Sequence, residues 1–221
     1  MTELLIYGSA NSSFVWTARL ACEEKGVGYT LAAVGNNSFA DLKSEEHLRL
    51  HPFGRIPAMR HGDFALFEAV AICRYVDEAF DGPALQPAEV RPRALMNQWI
   101  SATNDYLVSD LLRGFVAAHL FPSGPDGQPD AAVVERFEPK VRRHAQVIDR
   151  ALDGRPYLAG DGITIADLLL APIMGYVGNM PDGLELVDGL DNLARWWHAV
   201  SERPSFRATK APALQNASQA A

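Results

Sequence analysis

The run His51-Pro52-Phe53-Gly54-Arg55-Ile56-Pro57, followed eleven residues later by Glu68-Ala69, decides how this chain is read. An X-Pro bond at the start of a strand is a candidate for a cis peptide, because proline alone brings the cis form close in energy to the trans. A cis Pro57 would turn the backbone of Ile56 outward and leave its N–H and C=O free to pair with an extended, peptide-like ligand. Glu68 and Ala69 would open a helix, whose first N–H groups attract a carboxylate. Each feature alone reads as a rigid turn or an ordinary acidic helix start. In this order and at this spacing, they read as one ligand site.

Outward from that run, the N-terminal stretch alternates strand and helix. Leu4–Tyr7 is a compact apolar run ended by Gly8-Ser9, a buried strand and its turn. Ser12 and Ser13 precede Phe14, Val15, Ala18, Leu20, Ala21 and Cys22 at helical spacing, and Lys25-Gly26 supplies the stop. Tyr29–Val34 predicts a second strand, and a weak helix follows near Asp41–Leu50. Ile56–Met59 and Phe64–Phe67, joined by His61-Gly62-Asp63, have hairpin spacing. An amphipathic helix then runs from Glu68 through Phe80. The predicted order is βαβαββα over residues 1–80, an α/β domain.

Asp81-Gly82-Pro83 breaks this pattern, and residues 81–92 read as a linker. Residues 93–221 read as an all-helical domain. It has a long helix over Ala94–His119, a loop at Phe121–Asp130, a charged helix ending near Gly154, and a helix after Gly162. A shorter helix holds Leu193, Trp196, Trp197 and Val200, and the Ala/Gln/Asn-rich tail after Lys210 is expected to fray.

Apolar residues make up 48% of the 221, enough for a sizeable core. The 20 basic and 27 acidic residues give a net charge of −7, and neither part of the chain offers a basic field for nucleic acid. The first residues lack the basic start and apolar length of a signal peptide. No stretch approaches the roughly 18 apolar residues of a membrane helix. Cys22 and Cys73 form neither a CxxC nor a metal-ligand spacing and fall within helical apolar patterns, where a free Cys is a small buried hydrophobe. A cytoplasmic protein without metal, nucleic-acid or membrane partners is expected.

The chain resembles the soluble glutathione transferases, most closely the serine-type, phi- and theta-like classes. The likeness is carried by Tyr7-Gly8, Ser12, Glu24-Lys25-Gly26, Pro52–Pro57, Leu66-Phe67-Glu68, Ala71-Ile72 and Gly162–Asp167, and it covers roughly residues 3–207. It implies a thioredoxin-like N-terminal domain that binds glutathione and a helical domain that contributes the pocket for the second substrate. In the family, a hydroxyl at the start of the first helix donates a hydrogen bond to the glutathione sulfur. That bond and the positive helix end would favour the thiolate.

Ser12 stands at the matching position, and by itself it is also an ordinary N-cap. Ser13 and Tyr7 are the alternatives. By the same resemblance, Ile56, followed by Pro57, pairs through its backbone with the cysteinyl part, and Glu68 holds the γ-glutamyl amine. Lys43 offers a cation to the glycyl carboxylate, and Arg55 lies beside the ligand. Ala69 departs from the family, which usually has a serine there whose hydroxyl meets the γ-glutamyl carboxylate. The absence of Cys over residues 9–13 argues against disulfide exchange.

The resemblance also implies a homodimer and an electrophile pocket between the domains, with Phe14, Tyr106, Arg113 and His119 as candidate members and Asp105 near a partner's glutathione. Thr164 to Asp167 reads as a capping box and Ile163 with Leu168 as its hydrophobic staple, a folding device. Three functions stand at this point. The first is a detoxifying transferase that joins glutathione to small hydrophobic electrophiles; the others are a non-catalytic binding protein, favoured by Ala69, and a glutathione-dependent isomerase.

Overall fold

The computed structural model describes residues 3–38 and 40–217. The chain divides into two units: one runs to Gln86 and takes back the chain from Arg203, and the other is Pro87–Glu202.

In the first unit, strands β1 (Leu4–Tyr7), β2 (Thr30–Ala32), β3 (Ala58–His61) and β4 (Phe64–Phe67) form one sheet in the order β2-β1-β3-β4. β1 and β2 run parallel, which requires a crossover, and α1 (Ser13–Lys25) supplies it. The other pairs are antiparallel. α2 (Glu45–Leu50) precedes β3, and α3 (Ala69–Ala79) follows β4. This is the predicted βαβαββα order. Alternate residues Leu4 and Ile6 face inward and pack with Val15, Ala18 and Cys22 of α1, Met59 of β3, and Ile72 and Val76 of α3. β3 begins at Ala58 and not at Ile56, because Pro57 has no N–H to give the ladder.

The expected linker is in part firmly held. Lys25 and Asp77 form an ion pair at 3.1 Å, with side chains only 3% and 7% exposed. Lys25 also donates to the Gly82 carbonyl, and Asp77 accepts from Leu85 N–H and the Gln86 amide. Residues 82–86 thus belong with the sheet, and helix already starts at Val90, inside the expected linker.

A larger difference lies at the other end. Arg203 onward was expected with the helical domain, yet α9 (Pro204–Thr209) packs on α1. The cause lies on α1, which offers polar groups that need partners. Trp16 Nε1 donates to Thr209 Oγ1 at 2.8 Å, Arg19 donates to the Thr209 carbonyl, and Glu24 accepts from Arg203 and from the Ser205 hydroxyl. Phe206 adds a ring contact to Trp16 at 4.9 Å. Of the tail expected to fray, Pro212–Ala217 is helical (α10), and residues 218–221 lie outside the described residues.

The second unit is helical. α4 (Val90–Ala102) continues through a π-helical stretch, Thr103–Val116, into α5 (Ala117–Leu120); the expected single helix is therefore wider-wound at its centre. α6 (Ala131–Ala151) lies against that stretch, and Gly114 makes the approach close: a Cβ there would sit 2.4 Å from the Phe137 ring. α7 (Ile165–Val177) is buried along its whole length and α8 (Asp191–Ser201) packs on it.

At the start of α7 the Asp167 carboxylate accepts from Thr164 N–H and Oγ1, at 2.9 and 2.8 Å. It also accepts from Leu158 N–H and Trp196 Nε1. Burial pushes the Asp167 carboxyl above its ordinary pKa, although these four donors pull the other way. Among the described residues, no helix is long and apolar enough to cross a membrane.

Candidate functional site

The register of the sheet gathers the candidate residues. Tyr7 at the end of β1 pairs with Ala58 at the start of β3, and Ala58 pairs with Phe67 at the end of β4. The segments that flank this row are Gly8–Ser12, Ile56-Pro57 and Glu68-Ala69. Three stretches far apart in sequence therefore meet at one sheet edge. Gly8 brings two of them into contact. It holds φ +145° in a buried place, where a Cβ would lie 2.6 Å from Val15 Cγ2 and 3.0 Å from Ile56 Cβ. Glycine alone fits there without displacing Ile56 or the first turn of α1.

Ser12 is the N-cap of α1, with extended backbone and its Oγ accepting the Val15 N–H at 3.4 Å. A hydroxyl that accepts keeps its own hydrogen to donate. Ser13 is the first helical residue, and its carbonyl accepts the Thr17 hydroxyl. Tyr7 follows inward-facing Ile6, so it points to the face of the sheet opposite α1 and α3.

The Ile56–Pro57 bond is cis. The β3 ladder starts at Ala58, so the N–H and C=O of Ile56 lie outside it. Glu68 caps α3 with φ 75° and ψ 119°, a backbone that a non-glycine residue rarely adopts and that typically costs about 1–3 kcal/mol. Ala69, the first residue of α3, is only 4% exposed. Lys43 ends a short 3-10 turn, Asp41–Lys43, and its Nζ donates to the Phe53 carbonyl at 3.0 Å. The cation is thereby held against the loop that carries Arg55, which is exposed.

Residues 2–78 match the family model "Glutathione S-transferase, N-terminal domain", and residues 111–204 match "Glutathione S-transferase, C-terminal domain". Glutathione S-transferase F12 of Arabidopsis thaliana is 30% identical over 204 residues, covering 91% of this chain and 94% of the relative. The theta-class enzyme of Xanthomonas axonopodis pv. citri, solved with glutathione bound, superposes with a TM-score of 0.85 at 27% identity, covering 97% of this chain and 100% of its own. Maize glutathione S-transferase I, solved with an atrazine glutathione conjugate, gives 0.84 at 28% identity over 97% and 98% of the two chains. The chain belongs to the glutathione S-transferase family.

Two histidines here are buried: His51, which opens the run His51–Pro57, and His47, on which no motif of the sequence falls. His47 and His51 are each 2% exposed, His47 on α2 and His51 at the start of the 51–57 loop. His47 Nε2 is 2.7 Å from the Arg55 carbonyl, and the His51 ring packs on Phe67 at 4.9 Å. Burial lowers the His51 pKa, with the Glu68 charge opposing. For His47 the only sequence signal is its place on a weak helix, which by itself reads as surface.

The electrophile candidates fall in both units. Phe14 is half-buried on α1. Tyr106, 62% exposed, lies with Asp105 and Arg113 on the π-helical stretch. His119 is tied to its own helix, with Nδ1 2.9 Å from the Phe115 carbonyl and the two rings 4.7 Å apart.

Proposed function

We propose that this protein is a glutathione transferase in which Ser12 activates the thiol of bound glutathione for attack on small hydrophobic electrophiles. One observation carries the assignment to Ser12. Its hydroxyl accepts from the first turn of α1, keeps a hydrogen to donate, and stands at the sheet edge that also presents Ile56 and the start of α3. A free thiol of this type has a pKa near ~8.5, so little is ionised at neutral pH. A donated hydrogen bond and the positive end of α1 both favour the thiolate over the thiol.

The other contacts follow from chemistry. The Ile56 amide and carbonyl would pair with the cysteinyl backbone in the manner of a short strand. Lys43, steadied by the Phe53 carbonyl, and Arg55 would meet the glycyl carboxylate. Glu68 would hold the γ-glutamyl ammonium, and the first N–H groups of α3 its carboxylate. Ala69 supplies a backbone donor there but no hydroxyl. Phe14, Tyr106, Arg113 and His119 are proposed for the electrophile side.

A homodimer and a cytoplasmic setting complete the proposal. Phe53, 64% exposed on the 51–57 loop, offers an apolar anchor to a second copy, and the free thiols of Cys22 and Cys73 suit a reducing compartment.

The test is thiolate absorbance of bound glutathione between about pH 5 and about pH 9, in wild-type protein and in Ser12→Ala. A lowered thiol pKa that the variant loses supports Ser12. A wild-type protein that binds glutathione without lowering its pKa reduces Ser12 to a cap. Absence of binding would hand the case to the binding-protein alternative that Ala69 favours.

A further inference from the structure

We infer that His47 is a positioning residue for glutathione: it grips the Arg55–Ile56 peptide from its carbonyl side and so aims the Ile56 N–H at the ligand. The inference rests on the proposed glutathione site, but it comes from a contact inside the protein. The Arg55 carbonyl and the Ile56 amide belong to one planar peptide group, in which C=O and N–H point in opposite directions. A carbonyl only accepts, so His47 Nε2 donates, at 2.7 Å. Fixing the oxygen on one side therefore fixes the direction of the N–H on the other. Donation to the carbonyl also polarises the peptide and makes its N–H a stronger donor.

The surroundings make this grip rigid. His47 sits on α2, 2% exposed, with its own N–H bonded to the Ser44 hydroxyl and its carbonyl accepting the His51 N–H. The His51 carbonyl in turn accepts the Gly54 N–H at 2.8 Å. The His47 and His51 rings lie 6.2 Å apart, and His51 continues onto Phe67 of β4. The helix thus fixes the His47 backbone, the His51 ring flanks its imidazole, and Nε2 is the one ring nitrogen with a bond; Nδ1 is buried with no partner among the described residues. A residue kept only for packing would not need a buried polar ring here, since leaving a nitrogen unsatisfied is unfavourable.

Two substitutions separate the roles. His47→Phe keeps the ring volume and removes the donor, whereas His47→Gln keeps a donor at similar reach. With glutathione varied and a saturating aryl halide as second substrate, His47→Phe should raise KM for glutathione about tenfold, the loss of roughly one good hydrogen bond. Its kcat should stay within about twofold, because Ser12 lies on a different segment. His47→Gln should remain within about threefold of wild-type KM. An unchanged KM in His47→Phe would overturn the inference. So would equal losses of KM, kcat and melting temperature in both variants, the mark of a packing residue.

A second readout needs no ligand. The Arg55–Ile56 bond is itself a trypsin site on an exposed arginine, and His47→Phe should be cut there faster than wild type or His47→Gln. Equal cutting rates would overturn the inference even if the protein proved not to bind glutathione. A wild type that fails to bind while His47→Phe is cut faster sinks only the glutathione reading.

Discussion

The sheet edge of the first unit and the start of α7 in the second both present polar groups, but they use them in opposite ways. At the sheet edge the useful groups are backbone: the Ile56 N–H and C=O outside the ladder and the first N–H groups of α3. Its side chains, Ser12, Lys43, Arg55 and Glu68, are half-buried or exposed and have capacity to spare for a ligand. At α7 the Asp167 side chain is fully buried and every donor around it points inward to that one carboxylate. In the proposed site the same chemical vocabulary would serve binding because it is left open; at α7, where it is closed, it serves folding. Substitutions should accordingly be costly to stability at α7 and costly to chemistry at the sheet edge.

The largest effect tests the closed end. Asp167→Ala strands the N–H groups of Leu158 and Thr164, the Thr164 hydroxyl and the Trp196 indole N–H. At about 1–3 kcal/mol per buried unsatisfied group, and allowing for partial relaxation, the second unit should lose about 4 kcal/mol or more. Denaturant unfolding followed through tryptophan fluorescence measures it. A loss under about 1 kcal/mol would mean that water reaches the site and that the contrast is wrong.

Ser12→Ala tests the open end. Removing one donor aimed at a developing anion typically lowers turnover about 10²-fold, and the same change should cost stability only about 1 kcal/mol as a lost N-cap. A variant that melts far below wild type while retaining turnover would reverse the two roles.

How much of this was legible follows from where the signals sit. Pro57, Glu68-Ala69, Ser12 and Thr164–Asp167 act over short spans, and the spacing that makes each of them work is written in consecutive residues. The succession of strands and helices is written in short apolar runs, whereas strand ends are not: β2 is shorter than Tyr29–Val34, and β3 runs Ala58–His61 instead of Ile56–Met59 because Pro57 has no N–H for the ladder. The return of α9 to α1 left no local trace. Trp16 and Thr209 are 193 positions apart, and nothing near either residue names the other. His47 was hidden for the same reason: on a short polar helix it reads as surface until the fold places Arg55 above it. The π-helical winding of Thr103–Val116 was equally silent, since its apolar residues satisfy ordinary helical spacing.

The buried acids of the two units sharpen the comparison through pH. Burial pushes the Glu24 carboxyl up, but Arg203 and Ser205 overcome it and hold the pKa below the ordinary glutamate value. A folded pKa below the unfolded one stabilises above the unfolded value and is lost as pH falls through the folded value. Asp167 has the opposite sign: its raised folded pKa stabilises at acid pH, and the contribution is lost as pH rises through that value. Glu24→Gln, which weakens charge-assisted bonds, should cost about 2 kcal/mol at neutral pH, and the deficit should shrink on acidification below the glutamate range. Hydrogen exchange at α1 and α9 would read it; a deficit independent of pH would show that Arg203 and Ser205 do not hold the ionised form.

The smallest effect concerns Ala69, where the open end is incomplete. The helix start supplies a backbone donor for a carboxylate, but the methyl adds nothing, and the site is 4% exposed. Ala69→Ser would add one hydroxyl beside that carboxylate at a first-turn position where serine is tolerated. A hydrogen bond to a charged group contributes about 1.5–3 kcal/mol when fully formed. Crowding at a buried position should leave about half of that, or about four- to twelvefold tighter glutathione binding. Calorimetric titration of both proteins decides it. Tighter binding with unchanged kcat would show that this chain holds glutathione through backbone where a side chain could help. Equal affinity would show that the α3 N–H groups already satisfy the carboxylate, so that the sheet edge, like α7, is closed on the groups it has.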